Sequence, residues 1–288
     1  MMSNYRLSFS LILMAAAVAS GAVAAPATAA DSRHAPAPPP PVASYADLAD
    51  LADSTPLVIR AQVRKVIALE PERAQGVRPG WARAYVEART EALIAGNRAL
   101  GEALTYLVDL RLDPKGKLPA LKKKSVVLFA RPVAGRPAEL QLVAPDAQLL
   151  WDAPIEARIR GILAELYAKD APQKVTGVRE ALYVPGNLAG AGETQVFLNT
   201  ANGEPAALTV SRASGSEPRF GASFSELVGE GGGLPARDTL AWYRLACFLP
   251  GQLPVAANIA DATADRAAAA LDYRSAMERL GPCERTRP

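Results

Sequence analysis

The sequence is nearly devoid of histidine: among 288 residues there is one, His34, and it stands in a proline-rich run. A catalytic imidazole must be oriented by a packed shell, which such a run does not supply. This argues against Ser-His-Asp and Cys-His chemistry. It also argues against the usual zinc sites, since only Cys247 and Cys283 remain as soft ligands. No serine is followed three residues later by lysine, and Gly221-Ala-Ser-Phe-Ser225 lacks the closing glycine of a nucleophile elbow. No Gly-x-Gly-x-x-Gly or P-loop appears, so nucleotide binding has no support. Charge of either sign is in short surplus as well. With 32 basic and 29 acidic residues the net charge is +3, too little for the basic field of a nucleic-acid-binding protein. No cofactor is expected, and no EF-hand-like spacing or other metal site is apparent.

What the chain does have is apolar material, 50% of its residues, enough for a substantial core. Its first part reads as an address. Arg6 is the only charge before Asp31, and Leu7–Met14 is followed by an alanine- and valine-rich stretch ending in Ala27-Thr28-Ala29. A positive n-region, an apolar h-region and small-residue cleavage sites make a secretory signal peptide over 1–29; Ala22-Val23-Ala24 is a second site, and a retained membrane anchor is the alternative. The expected location is periplasmic or secreted, with no transmembrane segment in the mature chain. In that setting two cysteines suggest one disulfide, Cys247–Cys283, contributing about 3–4 kcal/mol in the chain-entropy model, against the alternative of two buried thiols.

The periodicity predicts an α+β fold. After a Pro-rich tether at 30–43, residues 44–150 read as an OB-like five-stranded β-barrel domain. Ser44 caps a short helix over 45–53. Strands follow at 57–67, 83–94, 104–112, 125–131 and 139–143, with Leu104, Tyr106, Val108, Leu110 and Leu112 on one face of the third. A connecting helix fills 151–173, with Asp152 as its N-cap and Pro154 in its first turn. The remainder, 174–288, reads as a mixed α+β domain carrying the disulfide. Strands are expected at 178–184, 194–200, 206–211 and 220–227, a Trp-containing helix at 238–249 and a C-terminal helix at 261–280. The bridge sets a constraint. If the last two helices formed a simple hairpin, Cys247 and Cys283 would lie a helix length apart, about 30 Å for twenty residues, so either residues 250–260 cross over or the last helix folds back across the first element.

Two resemblances accompany this reading. Leu118–Arg131, with its step from Lys122-Lys-Lys124 into Ser125-Val-Val-Leu-Phe, resembles the entry to the fourth strand in exported OB-like domains of the netrin/tissue-inhibitor type. Those families often have glycine where Ser125 stands, and their cysteine framework is absent here. The resemblance covers about 45–150 and implies binding of a protein or glycan rather than catalysis. The chain as a whole, including Gly192–Leu198 and Trp242–Pro250, resembles uncharacterised exported proteins of alphaproteobacteria, which implies export and no particular activity.

The chemistry that remains is modest. Lys115, Lys117, Lys122, Lys123 and Lys124 form the densest basic cluster, suited to an anionic envelope polymer or, as a solvated guard, to keeping a strand edge from pairing. Glu193, Glu226 and Asp238 are the carboxylates available to a glycan hydrolase, provided they converge at about 5–10 Å; otherwise they are strand-edge acids and a helix cap. Trp81, Trp151 and Trp242 are either a sugar-stacking platform or core anchors. The reading is of an exported cell-envelope binding or assembly protein without catalytic activity, whose partner is an envelope protein or an anionic envelope polymer. The alternative is a carboxylate-dependent glycan hydrolase.

Overall fold

The computed structural model describes residues 43–225 and 232–287. The expected signal peptide, the tether as far as residue 42 with His34, and Glu226 lie outside the described residues. Six strands build the first sheet: β1 (Leu57–Ala68), β2 (Trp81–Ala95), β3 (Ala103–Arg111), β4 (Ser125–Val133), β5 (Arg136–Leu142) and the short β6 (Gln148–Leu150). Their order is β1-β2-β3-β5-β4-β6, and β1 also pairs with β4, so the first five close into an OB-like barrel. β3 and β5 run parallel while the other pairs are antiparallel. Closure depends on β1. It pairs with β4 through Leu57–Gln62 and with β2 along its whole length, and register shifts at three places let it bend between the two.

The alternation read from β3 is realised, with Leu104, Tyr106, Val108 and Leu110 buried and Leu107 exposed. Opposite them, Ala84, Val86 and Ala88 of β2 fill the barrel. In β4 all five residues from Val126 to Ala130 are fully buried, because one face lines the barrel and the other is covered. Gly96 ends β2 at φ +135°, where a Cβ would sit 2.5 Å from Leu57 Cδ2. Only glycine leaves room for that leucine. Strand β6 has no separate signal in the sequence; at three residues it exists only because β4 is there to pair with it.

Helix α1 (Tyr45–Asp53) begins with a capping box, Ser44 accepting from the Asp47 N–H while Asp47 accepts from the Ser44 N–H. Seven of its nine residues are buried. Helix α2 (Ala153–Leu166) is capped by Asp152, whose Oδ1 accepts from the Ile155 N–H at 2.6 Å, and it buries Ile159, Ile162 and Leu163.

The second sheet is an antiparallel meander of β7 (Val175–Pro185), β8 (Gly192–Thr200), β9 (Ala207–Arg212) and β10 (Arg219–Ser223). Helix α4 (Thr263–Leu280) lies against β7, β8 and β9. Their junction is mostly apolar, with Ala269, Tyr273 and Ala276 buried, and holds one polar cluster. Asp272 of α4 is fully buried, accepts from Thr194 Oγ1 at 2.6 Å and is held by Arg212 of β9. One contiguous cluster of buried side chains runs from the barrel through the helices into this sheet.

Helix α3 (Leu240–Ala246) starts later than the sequence suggests. Thr239, not Asp238, is its N-cap and accepts from the Trp242 N–H, while Glu165 of α2 accepts from the Leu240 N–H at 2.6 Å. The disulfide joins Cys247, at the end of α3, to Cys283, beyond α4, with Cα atoms 5.0 Å apart. The expected crossover is present. From Pro250 the chain travels past β7, where the Ile259 N–H donates to Ala181 O at 2.9 Å, before α4 runs back towards α3. Trp242 Nε1 then donates to Leu280 O at 2.7 Å and fixes the returning end. No helix among the described residues is long and apolar enough to cross a membrane.

The tail beyond Cys283 is clamped to α1. Asp47 accepts from the Thr286 backbone and hydroxyl and from the Arg287 N–H, and Arg285 donates to Asp50. At the far end of α1, Asp53 holds Arg244 and Lys174. Burial pushes the Asp47 carboxyl up, but the bonds from Thr286, Ser44 and Arg287 outweigh it and hold the group below its ordinary value. In Asp53 burial is likewise outweighed by Arg244 and Lys174.

Two outcomes are expected. Asp272→Asn, which leaves Arg212 short of its counter-charge, should lower unfolding free energy by about 3 kcal/mol in urea titrations. Because the folded pKa values of Asp47 and Asp53 are depressed, their stabilisation is complete above the unfolded value of about 3.9 and is lost as pH falls through the folded ones. The Tm followed by circular dichroism should therefore fall steeply below about pH 4, and Asp47→Asn should lower Tm at neutral pH while flattening that acid limb.

Candidate functional site

The five lysines lie in the connection from β3 to β4. Asp113 Oδ1 accepts from the backbone N–H groups of Lys115 and Lys117, each at 2.8 Å, so the turn presents both side chains outward. Leu121 is buried and anchors the loop. Next to it the loop adds itself to β1: the Lys123 N–H donates to Val63 O at 2.8 Å, and the Val63 N–H donates to Lys124 O at 2.9 Å. Lys123 takes φ +68° to make this contact, a left-handed conformation that costs a side chain roughly 1 kcal/mol.

All five lysines are exposed, and none forms an ion pair among the described residues. The free edge near them belongs to β1 and not to β4. β4 is paired on both sides, and the lysines flank the half of β1 that β4 has left. The backbone contacts at Val63 bring exposed Arg64 beside Lys123 and Lys124. Lys65 follows, paired to Glu87 at 3.7 Å.

A groove of about 470 Å³ opens beside this loop on the outer face of β2, β1 and β4, lined by Arg60, Arg89, Thr90, Glu91, Ser125 and Trp151. Strand register builds it: Gln62 of β1 stands between Arg89 of β2 and Ser125 of β4, and the Trp151 N–H donates to Ser125 O. Ser125 directly follows Lys124. Arg60 lies over the Trp151 ring, 5.0 Å from its centroid, and its Nη1 donates to Glu156 Oε2 at 2.9 Å. Glu156 also accepts from Trp151 Nε1 at 2.6 Å and from Arg160. Burial pushes this carboxyl up, but those bonds and the Arg60 charge hold it below its ordinary value. Across the groove Glu91 accepts from Ser125 Oγ at 3.1 Å.

Of the carboxylates weighed for hydrolysis, Glu226 lies outside the described residues and the other two belong to other elements. Glu193 is on β8, holding Gln195 and Ser211. Asp238 precedes α3 at φ +61°. Neither lines the groove. No cluster of three or more His, Cys, Asp or Glu suited to a metal occurs among the described residues. The tryptophans do not form one platform. Trp242 is buried, whereas Trp81 and Trp151 are half-buried, and each of the three carries a guanidinium over its ring.

Arg60, Gln62 and Arg64 alternate along β1 with buried Ile59, Ala61 and Val63, a polar face that the sequence pattern itself displays. The groove has no such signal, because Glu91, Trp151 and Glu156 reach Arg60 only through strand pairing and the docking of α2. Compared with known proteins, the chain matches no family model and no curated sequence.

The loop's strain is measurable. Lys123→Gly should raise unfolding free energy by about 0.5–1 kcal/mol in thermal or urea unfolding. Lys122→Gly, at a position of ordinary φ, should lower it.

Proposed function

We propose that the protein is exported and serves in the cell envelope as a non-catalytic binding protein, and that its ligand is an anionic envelope polymer. The observation that carries this reading is the basic rim formed by Lys115, Lys117, Lys122, Lys123 and Lys124 with Arg64. All six are exposed and without an ion pair among the described residues, and the rim is held in place by backbone bonds to β1. Unpaired cations spaced along a fixed loop attract a polyanion by charge density rather than by the shape of one small ligand. The N-terminal pattern of Arg6, Leu7–Met14 and Ala27-Thr28-Ala29 supports export, and a disulfide suits an oxidising compartment.

Polyphosphate is a suitable probe, titrated into the full chain expressed with its own leader. Binding should weaken steeply with salt, and Lys122, Lys123 and Lys124 changed together to Gln should lower affinity at least about tenfold at low salt and make the salt dependence shallower. Absence of salt-dependent binding by the unmodified protein would refute the proposal.

A further inference from the structure

Arg60 is held in an unusual way. Its Nη1 is committed to Glu156 and its guanidinium rests on Trp151, yet its buried Nε has no hydrogen-bond partner among the described residues. The nearest acceptor, Glu91 Oε2, is 3.5 Å away without the geometry of a hydrogen bond. A guanidinium N–H removed from water and left without an acceptor costs more than an ordinary surface donor. The side chain is prevented from turning to relieve it, because the stack and the Glu156 bond fix its plane. Arg60 lines the groove, but its Nε is closed to solvent, so the contact points on offer are the other lining groups.

The surrounding charge narrows what the groove accepts. Arg60, Arg89 and Arg160 stand against Glu91 and Glu156, one cation in surplus. Arg160 and Arg60 are spent on Glu156, and Glu91 faces Arg60 and Ser125, whereas Arg89 is exposed and has no carboxylate partner among the described residues. The groove therefore offers one free guanidinium for a single planar anion, beside Ser125, Thr90 and the Glu91 carboxylate, which exchange hydrogen bonds with hydroxyls. Its volume lies within the range of about 300–1,000 Å³ usual for small-molecule sites.

We infer that this groove is a subsite for one sugar-acid ring of the polymer, with Arg89 holding the carboxylate and Glu91 and Ser125 the hydroxyls. The inference rests on the proposed polyanion binding, and adds that the ligand bears one carboxylate and several hydroxyls per ring. Lys124, next in sequence to Ser125, connects the subsite to the basic rim, so the rim holds neighbouring charges of the same chain.

The test uses isothermal titration of the full-length protein with three probes: tetragalacturonate, the neutral galactose tetramer and polyphosphate. Tetragalacturonate should bind, the neutral tetramer should bind at least about tenfold more weakly, and Arg89→Gln should weaken tetragalacturonate at least about threefold while leaving the neutral tetramer unchanged. Arg89→Gln should leave polyphosphate affinity within about twofold, since that probe needs only the lysine rim. Ser125→Ala, a small change in a position that does not depend on Arg60, should weaken tetragalacturonate alone. If tetragalacturonate and polyphosphate both bind but Arg89→Gln and Ser125→Ala leave tetragalacturonate unaffected, the subsite is refuted while polyanion binding stands. If neither polyanion binds, both readings fall.

Discussion

The arrangement on which the rest of the molecule depends is the carboxylate row of α1. Asp47, Asp50 and Asp53 recur every third residue along a helix that is buried for most of its length, and between them they take donors from three distant parts of the chain. Asp47 holds the tail at Thr286 and Arg287, Asp50 holds Tyr243 and Arg285, and Asp53 holds Arg244 and Lys174. Carboxylates in such a place are tolerable only when fully supplied with donors. Nine residues thus fix where α3, the entry to β7 and the tail must sit. The disulfide closes the same junction from the other side, joining α3 to the start of that tail.

The lysine loop and the groove lie on another part of the barrel, along β1. Strand β1 is the common element. Its first half closes the barrel against β4 and presents Arg60 to the groove; its second half has lost β4 and is met by the lysine loop at Val63. One strand therefore supports both the charged rim and the polar groove beside it. The left-handed conformation of Lys123 follows from that geometry, because the loop has to turn sharply after pairing with Val63 in order to enter β4.

Much of the backbone was legible in the residues. Alternation in Leu104–Leu112, the unbroken apolar run at Val126–Ala130, the caps Ser44 and Asp152 and the turn at Asp113–Gly116 each express a local rule, and local rules act wherever the segment ends up. That the bridge rules out a simple hairpin of the last two helices was also readable, since it follows from the length of a helix and the reach of a disulfide. Boundaries were less secure. Asp238 carries the usual chemistry of a cap, but Thr239 takes the role because Glu165, on another helix, captures the next N–H group.

By itself the sequence determined most of the strands and helices, because side-chain period and caps are properties of neighbours along the chain. Closure of the barrel needed β1 to meet β4 about seventy residues away. Only the tertiary structure decided which charges meet. That Glu156 and Trp151 fold over Arg60, that β6 forms against β4, and that the tail returns to Asp47 are matters of pairing between residues some 5 to 240 positions apart. A charged side chain looks the same in sequence whether it will be solvated or bound. Its partner is chosen by the packing of the elements between them, and that packing carries no local signature.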